Sequence, residues 1–153
     1  LTVVGPDGYV GPVRLLVADW RAGALRGYCE PREGLALPEA GEATLEALFG
    51  SGHLAITFDI AENGQRYQGI VPLEGASLAA AVERYFAASE QLPTLVRVAI
   101  ALGADGAGGA VAGGLLLQHL PEGEEGRERL HVRLDHPEWE HVSIMGGSVS
   151  DTD

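Results

Sequence analysis

Lysine is absent from this chain: all ten basic residues are arginine, set against 22 acidic residues, for a net charge of −12. That balance repels a phosphate backbone, and no arginine cluster offers a local exception, which argues against nucleic-acid binding. Cysteine is nearly absent too. Cys29 is the sole thiol, so the chain has no internal disulfide and no cysteine-rich zinc site. Hydrophobic runs are short, and none approaches the roughly 18 residues that a membrane-spanning helix needs. No basic-then-apolar segment opens the chain, which begins at Leu1 without a methionine. The expectation is a cytoplasmic location with no membrane partner, and a sequence that is part of a longer protein.

What is present is globular in character. The chain has 153 residues, 46% of them hydrophobic, enough for one domain that buries about 70% of its unfolded surface. Its acidic surface favours solubility and separation from its own copies.

Val13 to Ala18 reads as a buried strand, and Leu25 to Glu30 as its hairpin partner across a turn at Arg21, Ala22 and Gly23. Pro31 to Gly41 is loop-like. Glu42 to Phe49 carries a short helical stripe of Leu45, Leu48 and Phe49, stopped by Gly50. His53 to Ile60 alternates, with Leu54, Ile56 and Phe58 on one face, which predicts a strand with one solvated side. Asn63-Gly64 signals a tight turn, and Tyr67 to Leu73 is the return strand. Ser77 to Leu92 reads as a helix capped by Ser77 and ended by Pro93, with Leu78, Val82, Tyr85 and Phe86 on one stripe. Tyr85 and Phe86 are therefore expected in the core.

Leu95 to Leu102 and Gly114 to Leu120 are two further apolar runs, joined by the glycine-rich 103–113. Glu122 to Arg129 is charged, Leu130 to Leu134 suggests a brief strand, and Pro137 to Met145 a short helix closed by Gly146-Gly147. These elements favour an α+β fold of mainly antiparallel sheets with packed helices, as a single core domain over 1–147 followed by a polar tail at 148–153.

No catalytic constellation stands out. The glycine-rich segment lacks the third glycine of a dinucleotide fingerprint, since Val111 stands there, and it leads into a strand instead of opening a helix. His131, His136 and His141 fall close together among Asp135, Glu138 and Glu140, but their spacing matches no standard metal motif. Asp59 and Glu62 have no obvious partner in sequence. Cys29 is expected to be a small buried apolar residue. A reactive thiol would need a positive setting, of which Arg26 is the one hint.

Tyr67-Gln68-Gly69, Leu73-Glu74-Gly75, Tyr85-Phe86 and Ser89-Glu90-Gln91-Leu92-Pro93-Thr94 resemble, in that order, the 33-kDa chaperonin family of redox-regulated heat-shock chaperones. Leu25-Arg26-Gly27 upstream and Ala112-Gly113-Gly114-Leu115-Leu116-Leu117-Gln118 downstream fit the same family. Gly5 to Pro12 departs from it, with more glycine and proline than usual. The resemblance implies an ATP-independent holdase that binds unfolded clients under oxidative stress, acts as a dimer, and is not an enzyme. It implies a missing N-terminal segment, and a missing C-terminal switch whose cysteines hold zinc when reduced and form disulfides when oxidised. No cofactor, metal or catalytic residue is then expected in this chain. Glu90, an acid at a helix C-terminus where the dipole disfavours it, is the candidate interface residue. The alternative is a cytosolic enzyme or small-ligand domain using Cys29 or the His131, His136 and His141 cluster.

Overall fold

The computed structural model describes residues 1–5, 11–39, 42–60, 64–101, 109–119 and 137–148. The chain forms two compact units, Leu1–Tyr85 and Phe86–Asp153. The architecture is α+β, with antiparallel sheets and helices among the described residues.

The first unit holds a five-stranded sheet. Its strands are β1 (Thr2–Val4), β2 (Val13–Arg21), β3 (Ala24–Pro31), β4 (His53–Asp59) and β5 (Arg66–Pro72), in the order β3-β2-β1-β4-β5. Short β1 is the central strand, pairing antiparallel with both β2 and β4. Sequence pattern misses it because three residues, Thr2-Val3-Val4, cannot display a period of two. Yet Val3 is fully buried, facing Leu16 on one side and Leu54 on the other.

The β2–β3 hairpin is longer than expected. Arg21 pairs with Ala24 across a two-residue turn, with Ala22 at φ 50° and Gly23 at φ 82°. Two successive positive φ angles give the turn type whose twist matches the flanking strands. The β4–β5 hairpin closes with Asp59 opposite Arg66. The expected turn at Asn63-Gly64 falls partly outside the described residues. Gly64 itself has φ 66°, and its amide donates to the Ile60 carbonyl at 2.9 Å.

Between the hairpins, α1 (Leu45–Phe49) is shorter than the expected 42–49 because Thr44 caps it, its hydroxyl accepting from the Ala47 amide at 3.1 Å. Leu45 and Phe49 are buried. Gly50, at φ 64°, ends the helix.

The alternation in β4 holds: Leu54 and Ile56 are buried, while His53, Thr57 and Asp59 are exposed. α2 (Leu78–Ser89) lies on this face through Tyr85. Ser77 caps it, accepting from the Ala80 amide at 3.2 Å. The buried positions are Ala81 and Tyr85, one turn apart, with Leu78 and Val82 half-buried beside them. The Tyr85 ring packs over Gly69 of β5 and 6.4 Å from the Phe58 ring. Burying side chains such as Leu54 and Val3 contributes about 2 kcal/mol each.

α2 does not run to Leu92, and Pro93 is not what stops it. Gln91 turns left-handed at φ 51°, and the Leu92 amide reaches back to the Phe86 carbonyl at 3.0 Å. The Phe86 carbonyl thus accepts from both the Glu90 and Leu92 amides, and the chain folds back over the helix end at the left-handed residue.

The second unit pairs β6 (Thr94–Ala101) with β7 (Val111–Gln118) in an antiparallel ribbon. β7 begins earlier than expected, at Val111, because Ala101 and Val111 are already partners. α3 (Pro137–Gly147) packs on one face: a β-carbon on Gly146 would lie 2.5 Å from Leu95 Cδ2 and 2.9 Å from Leu117 Cδ1. Pro137 occupies the first helical position, where its missing N–H is harmless. The expected features at 122–129 and 130–134, and the tail after Ser148, lie outside the described residues.

Candidate functional site

Paired residues of an antiparallel ladder share a face. The face that carries Val3, Leu54 and Ile56 therefore continues across β2 and β3 as Leu16, Ala18 and Trp20, opposite Cys29, Gly27 and Leu25. One half of this face is buried and the other half is open. Trp20 is 70% exposed and its cross-strand partner Leu25 is 75% exposed. The chain thus presents an aromatic–aliphatic pair to solvent at the tip of its longest hairpin.

The reverse face of the sheet is also partly apolar. Val4, Tyr28 and Ile70 are exposed there. Polar pairs sit nearer the strand ends: Arg26 with Asp19, Arg66 with Asp59, and Gln68 donating to the Thr57 hydroxyl at 2.7 Å. Arg14, at the register shift in β2, donates through Nε to Glu30 at 2.8 Å. Exposed pairs of this kind contribute little to stability. Their larger effect is local neutrality, since Arg14, Arg26 and Arg66 each answer a carboxylate.

In the second unit, Val98, Ile100 and Leu116 point to the face of the ribbon opposite the one α3 covers, and all three are exposed.

The residues singled out from sequence behave unequally. Cys29 is exposed, not buried. It lies on β3, an edge of the sheet among the described residues, on the half of the face that is left open. Arg26 does not activate it: the two alternate onto opposite faces of β3, and the Arg26 guanidinium is bonded to Asp19. Asp59, expected without a partner, is held by Arg66 Nε at 2.5 Å and Nη2 at 3.0 Å. That hydrogen bond lowers the Asp59 pKa below the ordinary carboxylate value; desolvation opposes the shift, and the charges of Arg66 and Arg21 add to it. The Arg66 pKa is raised by the same contact.

Glu90 follows the last helical residue of α2, half-buried, its amide donating to the Phe86 carbonyl at 3.2 Å. Tyr85 is core, as expected, with no exposed surface, and Phe86 is half-buried. His141 is exposed on α3. His131 and His136 lie outside the described residues, so the expected cluster is not assembled within them. Among the described residues no three histidine, cysteine or carboxylate side chains gather as a metal set, and no helix is long and apolar enough to cross a membrane. His119, unremarked in sequence, meets Trp139 of α3 edge-on with ring centroids 5.3 Å apart.

Sequence reading missed Trp20 because the predicted strand stopped at Ala18. The signal was there: Trp20 lies two residues before the Ala22-Gly23 turn, and Leu25 the same distance beyond it, so any hairpin through that turn pairs them.

A family model described as Hsp33 protein matches residues 7–152. The chain is 39% identical over 140 residues to the 33 kDa chaperonin of Caulobacter vibrioides strain NA1000 / CB15N, covering 88% of this chain and 44% of that protein. It is 48% identical over 91 residues to the 33 kDa chaperonin of Shewanella sediminis strain HAW-EB3, covering 59% of this chain and 29% of that one. The crystal structure of the 33 kDa chaperonin from Thermotoga maritima superposes with a TM-score of 0.55 at 28% identity, over 75% of this chain and 38% of that chain. The chain thus spans less than half the length of these relatives.

Proposed function

Because the chain belongs to the Hsp33 family, matched over residues 7–152, we propose that it is the client-binding core of an ATP-independent holdase chaperone, and not an enzyme. The observation that carries this reading is the apolar surface left open on the sheet. Trp20 and Leu25 extend the same face that Val3 and Leu54 bury. An unfolded client offers apolar side chains without a defined shape, and binding it requires only apolar surface that is available and stays soluble. The net charge of −12 supplies the second condition by keeping copies apart. Nothing in that task requires a nucleotide.

The finer parts of the reading rest on the family resemblance. The holdase acts in the cytoplasm under oxidative stress and works as a homodimer, with Glu90 at the candidate interface. Its redox switch is a zinc-binding cysteine domain absent from this chain, whose one thiol is Cys29. Metal binding and folding of such a domain form one equilibrium. Oxidation of its thiolates would release the zinc, unfold the domain and leave apolar client-binding surface available.

The test is suppression of light scattering from a chemically unfolded client, without ATP. It compares the full-length protein before and after peroxide with its Trp20→Ser/Leu25→Ser variant. The expected result is suppression that rises on oxidation and falls in the variant. Absence of suppression under both conditions sinks the holdase reading. Suppression unaffected by the variant removes the Trp20–Leu25 surface from it. Replacing Glu90 with Arg and finding an unchanged dimer by ultracentrifugation removes the interface role.

A further inference from the structure

We draw no further inference here: the strongest candidate, the apolar surface of the β2–β3 hairpin with Trp20 and Leu25 exposed on one face and Tyr28 on the other, carries nothing beyond the client-binding reading because nothing in the structure shows what covers it.

Discussion

The Tyr85 ring occupies the space that a side chain on Gly69 would need: a β-carbon there would lie 2.6 Å from both the tyrosine hydroxyl oxygen and Cε2. Glycine inside a strand costs about 0.5–1 kcal/mol relative to alanine, so its place in β5 is explained by the helix above it. Gly69→Ala is expected to lower stability by about 1–3 kcal/mol through overpacking. Tyr85→Ala should lower it by about 3–5 kcal/mol. In urea unfolding the two losses should be less than additive, because the residues are in contact. A Gly69→Ala midpoint equal to that of the parent chain contradicts the packing described.

Gln91 adopts a left-handed conformation at φ 51° that costs a side-chain-bearing residue roughly 1–2 kcal/mol. Gln91→Gly should raise stability by a few tenths to about 1 kcal/mol, the strain relief being offset by the greater unfolded-state entropy of glycine. Gln91→Val should lower it, since a β-branched residue is disfavoured at positive φ. Thermal unfolding of the two variants checks the pair of signs. If valine matches glycine, helix α2 does not end as described.

The Asp59–Arg66 pair has a testable pH signature. The Asp59 pKa is lowered in the folded state, first by the hydrogen bond from Arg66. A depressed folded pKa means that the contribution to stability is present above the unfolded pKa and is lost as pH falls through the folded one. Carboxyl NMR titration should place the Asp59 midpoint below that of an exposed, unpaired aspartate. Arg66→Gln should return it toward the ordinary value. An Asp59 midpoint indifferent to that substitution refutes the pairing.

Salt should promote self-association of this chain. Open apolar surface favours contact between copies, and the −12 charge opposes it. Screening shortens from roughly 8 Å at physiological ionic strength to about 3 Å at 1 M. Sedimentation or static light scattering should therefore report larger species as sodium chloride rises. The Trp20→Ser/Leu25→Ser variant should show a weaker response. Scattering independent of salt counts against charge as the restraint.

Much of the fold was legible because it follows from local rules. The period of two in Leu54, Ile56 and Phe58, the Ser77 cap and Pro137 at the start of α3 each have a cause within a few residues, whereas Gly146-Gly147, expected to close α3, lie within it. What escaped depends on neighbours remote in sequence. β1 is a strand because β2 and β4 flank it, not because Thr2-Val3-Val4 announces one. Ala81 is buried ahead of Leu78 and Val82 because the helix approaches the sheet along the line toward Tyr85, and a small residue permits that approach. Cys29 is exposed because it falls on the uncovered half of its face, at the end of a strand order that is not written in any one strand. The candidate surface suffered in the same way: apolar pattern marks Trp20 and Leu25 as partners, but which half of a face is covered depends on where α2 comes to rest.

None of the eight residues of β3 is buried. The strand is held by its ladder to β2 and by the Arg14–Glu30 and Arg26–Asp19 contacts, with no core of its own. Local opening is easiest where few apolar contacts must be broken. The sheet therefore has a direction in time: β3 peels first, β2 follows, and the Val3–Leu54 ladder is last. Amide exchange should record that order as a gradient of protection, slowest at β1 and β4 and fastest along the outer ribbon.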